Sequence, residues 1–129
     1  MRVLSRPAQT RGIPAALLLR YSSSAVKETE FLIQLGPAGR LREHHVRSRG
    51  RIISFTMQYE TLWQGRWLPV VRYDTAHGFA HRDLYDVQGK AIKTPLFILD
   101  YNQALTFAES DLKANWQVYR ERFVKGVGQ

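Results

Sequence analysis

Residues 52–63 read Ile-Ile-Ser-Phe-Thr-Met-Gln-Tyr-Glu-Thr-Leu-Trp, a stretch in which apolar and polar side chains alternate. A period of two residues is typical of a β-strand that buries one face and leaves the other polar. The apolar set is Ile53, Phe55, Met57 and Tyr59, and the polar set is Ser54, Thr56, Gln58 and Glu60. The pattern therefore predicts a strand with a core face and a polar face.

A hairpin follows from this strand. Residues 67–74 are again strand-like, and residues 64–66 before them, Gln-Gly-Arg, predict a three-residue turn with Gly65 at positive φ. The register that keeps the apolar face continuous pairs Tyr59 with Val71, Met57 with Tyr73, Gln58 with Arg72 and Thr56 with Asp74. A slip of one residue would place charged side chains on the core face, which burial opposes.

The remaining segments complete an α+β domain, which we expect to be an antiparallel β-meander of three to four strands with one long C-terminal helix packed on one face. Residues 29–35 predict a first strand, and residues 40–51 predict a basic connector. Residues 75–79 predict a turn that leads into a further strand at residues 80–86.

Residues 100–125 predict the helix, with Asp100 as its N-cap and Gly126 at its end. Apolar residues recur along it at helical spacing, namely Leu105, Ala108, Leu112, Trp116, Tyr119 and Phe123. We expect this stripe to cover the core face of the sheet.

The chain of 129 residues fits one domain, to which we assign residues 28–126. Residues 1–27 contain five basic residues and no acid, which predicts a flexible basic segment outside the fold. Cysteine is absent, which excludes disulfides, thiolate metal ligands and cysteine nucleophiles. The absence of cysteine also favours a cytoplasmic protein. No apolar run approaches the ~20 residues that span a bilayer, so we expect no membrane partner.

The net charge of +8 is concentrated in residues 1–51, which hold ten Lys or Arg against three acids. A basic half predicts a polyanionic partner, and among nucleic acids RNA is favoured. Arg47, Arg49 and Arg51 in the basic connector are candidate phosphate contacts. A solvated basic segment without a specific partner is the alternative.

The polar face of the predicted sheet carries the candidate site. Arg72 and Asp74 lie on it, and His81 and Asp83 join it if the strand at residues 80–86 continues the alternation. An imidazole, a carboxylate that orients it and a cation for a developing phosphate charge are the set that ribonucleolytic cleavage needs without a metal. The alternative is a ladder of ion pairs that only joins the strands.

No metal site and no cofactor is predicted. His77 and His81 are four residues apart, which on a strand is ~13 Å, so they can share an ion only if a turn brings them together. The sequence also lacks a His-Glu-x-x-His motif.

Residues 72–77, Arg-Tyr-Asp-Thr-Ala-His, and residues 81–84, His-Arg-Asp-Leu, carry a resemblance that covers residues 52–86. The segment resembles an uncharacterised family of small bacterial domains and, more loosely, is similar to TumE-type toxins of toxin–antitoxin modules. The resemblance implies a toxin-module effector with an antitoxin-like protein as partner. It also implies a functional cluster made of Arg72, Asp74, His77, His81 and Arg82.

These observations predict a small basic protein that engages nucleic acid, with metal-independent ribonuclease activity as the enzymatic hypothesis. In this hypothesis His81 or His77 is the general acid or base and Asp74 orients it. Arg72 and Arg82 hold the phosphate. The alternative is a non-catalytic protein-binding module in which the ladder of Arg, Asp and His is structural.

Overall fold

The computed structural model describes residues 2–3 and 25–127, which form one antiparallel sheet and one long helix. The strands are β1 (Arg2–Val3), β2 (Lys27–Gln34), β3 (Gly39–Ser48), β4 (Arg51–Trp63), β5 (Arg66–Asp74), β6 (His81–Tyr85) and β7 (Ala91–Pro95), and the helix is α1 (Tyr101–Val127). Each strand pairs with the next along the chain, so the sheet is a meander. The predicted α+β class, an antiparallel meander with one long C-terminal helix, is confirmed.

The predicted number of three to four strands is wrong. Six strands of five residues or more lie between residues 27 and 95, and the two-residue β1 pairs with β2. The sequence patterns miss β3, which occupies the expected basic connector, and β7, which is a short edge strand. Of the segment expected to be flexible, residues 1 and 4–24 lie outside the described residues, and Lys27 is the first residue of β2.

The sequence patterns miss β3 because polar side chains occupy its core-facing positions. Leu41, Glu43 and His45 alternate along it as buried residues, and only Leu41 is apolar. Nδ1 of His45 lies 2.8 Å from Oε2 of Glu43, so the two polar groups satisfy each other inside the fold. Burial raises the pKa of Glu43, although the hydrogen bond and the charge of His45 oppose that shift.

The predicted register of the β4–β5 hairpin is confirmed, and all four expected pairs are present. The predicted three-residue turn is wrong. Trp63 pairs with Arg66, so the turn contains only Gln64 and Gly65, whose φ angles of 50° and 80° fit the twist of a hairpin. A bulge at Val70 then adds one residue to β5 and restores the predicted pairs.

A second bulge changes the predicted core face at the start of β4. Val46 pairs with Ser54 and Arg47 pairs with Ile52, which leaves Ile53 without a partner on β3. Ile52 therefore turns into the core with 6% of its surface exposed, whereas Ile53, which was expected there, is 50% exposed. The other three residues of the predicted core face are buried as expected.

α1 packs on the core face of β4 and β5. Oδ1 of Asp100 accepts a hydrogen bond from the backbone N of Asn102 at 2.8 Å, which confirms the predicted N-cap. The prediction that Gly126 ends the helix is wrong, because α1 continues to Val127. The predicted apolar stripe is confirmed, with Leu105, Ala108, Leu112 and Phe123 buried and Trp116 and Tyr119 partly buried.

Contacts at both ends of α1 hold it against β4. Near its start, Oδ1 of Asn102 accepts a hydrogen bond from N of Ile52 at 2.8 Å, and Nδ2 donates to O of Gly50 at 3.3 Å. Near its end, the rings of Phe123 and Trp63 meet edge to face with their centroids 6.4 Å apart. The helix is thus fixed along the length of the strand.

Phe123→Ala is expected to lower the free energy of unfolding by about 3–5 kcal/mol, because a buried ring is lost and a cavity is left beside Trp63. Chemical denaturation followed by circular dichroism measures the change. The matched control is Val118→Ala on the same helix, where the side chain is 65% exposed, and it should change stability by less than about 0.5 kcal/mol. Equal effects of the two substitutions would contradict the packing of α1 on the sheet.

Candidate functional site

The sheet face that points away from α1 carries many polar side chains, and we name this face the polar face. One row across its strands contains Arg42, Gln58, Arg72, Asp83 and Lys93, the next contains His44, Thr56, Asp74 and His81, and a third begins with Arg40 and Glu60. The carboxylates and the amide of the central strands are buried, whereas the arginines are half-buried. The polar face therefore has an acidic floor and an outer layer of guanidinium groups.

Glu60 is a central carboxylate of this floor. Its Oε1 accepts a hydrogen bond from Nε of Arg40 at 2.6 Å, and its Oε2 accepts one from Nε of Arg42 at 3.1 Å and one from Nε2 of Gln58 at 2.6 Å. Burial alone would raise the pKa of Glu60, but these three hydrogen bonds outweigh it and lower the pKa below its ordinary value. Glu60 is therefore an ionised anchor that fixes two guanidinium groups.

Arg72 extends the same network across β5. Its Nε donates to Oε1 of Gln58 at 2.6 Å, and its guanidinium carbon lies 5.5 Å from the centre of the Tyr85 ring. Within the part of the chain that the structure describes, Arg72 forms no ion pair, although Asp83 is its cross-strand neighbour. Among the described residues, no bonded carboxylate therefore neutralises the positive charge of Arg72.

His81 and Asp74 form the closest pair of an imidazole and a carboxylate around Arg72. Nε2 of His81 lies 2.8 Å from Oδ1 of Asp74 and 3.7 Å from Oδ2 of Asp83. Nδ1 of His81 lies 3.4 Å from the carbonyl oxygen of Phe79, a group that only accepts hydrogen bonds. The imidazole is therefore held between a carbonyl oxygen at Nδ1 and two carboxylates at Nε2.

The turn between β5 and β6 covers His81. Its chain reversal includes Gly78 at a φ of 84°, and it brings the ring of His77 over that of His81 with centroids 5.7 Å apart and an angle of 29°. The ring of Phe79 lies 5.6 Å away on the same imidazole. His81 is consequently only 1% exposed, whereas His77 is exposed. The predicted turn therefore joins two imidazoles that a straight strand would keep apart.

Among the residues that the structure describes, Asp74, His81 and Asp83 have the geometry to hold a metal. Each offers one ligand atom, and these atoms lie within 4.8 Å of one another. A divalent cation would have to displace the contact between Nε2 of His81 and Asp74 and compete with Nζ of Lys93, which lies 3.0 Å from Oδ1 of Asp83. A site without a metal stays a prediction.

Arg82 lies on the opposite face of the sheet. Alternation along β6 turns it toward α1, where its Nη1 donates to the hydroxyl of Tyr119 at 3.3 Å. The hydroxyls of Tyr119 and Tyr73 both donate to Oδ2 of Asp111. Burial raises the pKa of Tyr73, and the hydrogen bond to Asp111 raises it further. Arg82 therefore belongs to a cluster beneath α1. The functional cluster implied by the resemblance, in which Arg82 joins His81, is not formed.

Arg47, Arg49 and Arg51 surround the turn between β3 and β4 and are exposed. The turn itself consists of Arg49 at a φ of 52° and Gly50 at a φ of 79°. Arg51 is five residues along β4 from Thr56, the partner of Asp74, which corresponds to about 16 Å. The three arginines therefore lie too far along the sheet to touch the pair formed by His81 and Asp74.

Arg40 and Arg42 are candidate residues that the sequence reasoning misses. The basic connector predicted for residues 40–51 offered no cross-strand partner for either. The signal that could have identified them is the period-two alternation of Arg40, Arg42 and His44 with the buried residues between them. Since polar side chains occupy both faces of β3, this alternation does not appear as a hydrophobic pattern.

Comparison with known proteins identifies the family. The chain belongs to the family described as a domain of unknown function (DUF7718), whose model matches residues 26–129. No curated protein and no solved structure matches the chain. The match agrees with the expected uncharacterised small-domain family and provides no link to TumE-type toxins. None of the helical segments in the described residues is long and apolar enough to cross a membrane.

Glu60→Gln and Glu43→Gln are expected to show opposite dependences of stability on pH. The pKa of Glu60 is lowered from 4.5, so its contribution to stability is fully present above pH 4.5 and is lost as the pH falls through the folded-state pKa. The pKa of Glu43 is raised from 4.5, so its contribution is fully present below pH 4.5 and is lost as the pH rises through the folded-state pKa.

Urea denaturation of each variant and the parent, from about pH 3 to about pH 7, measures these contributions across the range in which a Glu titrates. As the pH rises, Glu60→Gln should lose stability relative to the parent, and Glu43→Gln should gain it. Each variant is the control for the other, because both remove one carboxylate from the interior. The same direction for both would contradict the electrostatics assigned to the two faces.

Proposed function

We propose that this member of the DUF7718 family engages nucleic acid, RNA in particular, on its polar face and cleaves it by acid–base chemistry that needs no metal. The observation that best supports the proposal is the 2.8 Å contact of His81 with Asp74, beneath the exposed ring of His77 and in the row next to Arg72. These groups supply proton carriers and a cation, which cleavage of a phosphodiester requires. The net charge of +8 suits a polyanionic substrate.

In this proposal His77 meets the substrate, because it is exposed while His81 is buried. His77 accepts the proton of a ribose 2′-hydroxyl, and the 2′-oxygen forms a bond to the adjacent phosphorus. The bond from phosphorus to the 5′-oxygen breaks, and the leaving oxygen takes up a proton from the imidazolium. The products are a 2′,3′-cyclic phosphate and a free 5′-hydroxyl.

The remaining groups position the reaction and stabilise its charge. The hydrogen bond from His81 to Asp74 fixes the plane of the buried imidazole, and the stacked ring of His77 is oriented by it. His81 and Asp74 are therefore positioning residues. The guanidinium of Arg72, which has no ion-pair partner among the described residues, is available for the negative charge that develops on the phosphoryl oxygens.

Single-stranded RNA incubated with the purified protein in chelator is expected to yield fragments with 2′,3′-cyclic phosphate ends. DNA of the same sequence should stay intact, because it lacks the 2′-hydroxyl. His77→Ala should slow cleavage by about 10²–10⁴, the usual contribution of a general acid or base. Lys125→Gln is the surface control and should leave the rate unchanged, since Lys125 is exposed on α1, on the opposite side of the sheet.

RNA that stays intact in chelator, or equal rates for the parent and His77→Ala, would overturn the proposed chemistry. Thermal melting of His77→Ala should be close to that of the parent, because the side chain is exposed, so a lost rate would not reflect unfolding. Asp74→Asn provides a second variant that keeps the shape of the side chain. Its rate should fall while the fold, measured by circular dichroism, is retained.

A second candidate function, a protein-binding module, is favoured by the segment between β7 and α1. Phe97 and Leu99 are 94% and 93% exposed, and they follow β7, whose outer edge has no partner strand in the described part of the chain. Exposed apolar side chains beside an open strand edge suit an extended peptide, the form expected of an antitoxin-like partner. Co-expression with the product of an adjacent small gene tests it, since Phe97→Asp should abolish co-purification and leave RNA cleavage unchanged.

A further inference from the structure

We infer that Arg40 and Arg42 form a second anion subsite, which holds a phosphate of single-stranded nucleic acid next to the phosphate at Arg72. The inference rests on the proposed function and deepens it, because it identifies the ligand as one strand that spans several phosphates across the sheet from β6 to β3. Glu60 and Gln58, both buried, are the anchors on which the subsite is built.

Each arginine of this group turns its Nε side toward an anchor. Nε of Arg40 and Nε of Arg42 donate to Glu60, and Nε of Arg72 donates to Gln58. A guanidinium has five N–H donors in a planar fork, so the outer pair of Nη groups points away from the anchor. That outer edge is the one that binds two phosphate oxygens at once. The anchors also restrict the side chains before a ligand arrives, which lowers the entropic cost of binding.

The hydrogen-bonded group of Arg40, Arg42, Arg72, Gln58 and Glu60 carries a net positive charge. It contains three guanidinium groups and one carboxylate, because Gln58, the acceptor for Arg72, is a neutral amide. An anion at the outer edge of this group therefore gains a favourable interaction.

The anchors divide the arginines into two positions. Arg40 and Arg42 bind the same carboxylate, Glu60, so one phosphate can contact both guanidinium groups. Arg72 is held by Gln58, and its backbone is separated from that of Arg42 by two strand spacings, or about 10 Å. Two successive phosphates of a strand therefore fit the group, one at Arg40 and Arg42 and one at Arg72.

Two aromatic rings favour a single strand over a duplex. The guanidinium carbon of Arg40 lies 4.0 Å from the centre of the Trp67 ring, and that of Arg72 lies 5.5 Å from the centre of the Tyr85 ring. Trp67 is 37% exposed at the surface. A guanidinium supported by a ring presents its other face to a nucleobase, and bases that are free to stack in this way belong to single strands.

Fluorescence anisotropy with a short labelled single-stranded DNA tests the subsite without cleavage, because DNA lacks the 2′-hydroxyl. Arg42→Gln should weaken binding about tenfold or more, since one charge-assisted contact is lost. The slope of log Kd against log salt concentration should fall by about 0.7, the value for one phosphate contact to a single strand. Lys125→Gln removes the same charge from an exposed side chain of α1, on the opposite side of the sheet, and should leave both quantities unchanged.

Arg42→Lys distinguishes the contribution of the positive charge from that of the guanidinium geometry, because it keeps the charge and loses the planar pair of donors. Its affinity should lie between those of the parent and Arg42→Gln, with the salt slope of the parent. Circular dichroism of all three variants should match the parent, since the side chain of Arg42 is 41% exposed.

Equal losses with Arg42→Gln and Lys125→Gln would show diffuse attraction to charge and would overturn the subsite. Equal or tighter binding of the duplex of the same sequence would overturn the single-strand assignment. Failure of RNA cleavage is a separate result: if RNA stays intact while Arg42→Gln alone loses affinity for DNA, the proposed chemistry is rejected and the subsite stands.

Discussion

β4 is buried on both of its faces, and the rest of the structure follows from this double burial. On one face its apolar side chains lie beneath α1, and on the other Gln58 and Glu60 lie beneath arginine side chains. An ionised carboxylate can be buried only with partners that return the hydrogen bonds and charge of water. Arg40 and Arg42 of β3 therefore lie beside Glu60 of β4. As a result, α1 covers one face of β4 and a layer of guanidinium groups covers the other.

Local alternation was sufficient to predict the β4–β5 hairpin, because a period of two fixes which side chains share a face whatever the turn between the strands. The same rule failed for β3, where Glu43 and His45 pair with each other at buried positions and leave no apolar pattern. The bulges at Ile53 and Val70 could not be predicted either. A bulge depends on how a strand bonds to its neighbours, and that information is absent from the strand itself.

The candidate site could likewise be predicted only in part. Alternation along β5 and β6 placed Arg72, Asp74 and His81 on one face, and the structure brings His81 to within 2.8 Å of Asp74. Arg82 lies on the other face, because neighbouring residues of a strand point to opposite faces. The resemblance did not show this, since it compares positions along the chain and not the directions of their side chains. Arg40 and Arg42 could be assigned to the site only once β3 was known to be a strand that pairs with β4. This part of the site therefore required the structure.

The hydrogen bonds that Asn102 forms with Ile52 and Gly50 join parts of the chain that lie about fifty residues apart, whereas every described strand of the sheet pairs with its immediate neighbour in sequence. During synthesis on the ribosome the meander can therefore assemble strand by strand, but α1 leaves the exit tunnel last among the described elements. Until it docks, the apolar side chains of β4 and β5 face water. The nascent protein thus passes through an interval in which chaperones would recognise it, and the docking of α1 ends that interval.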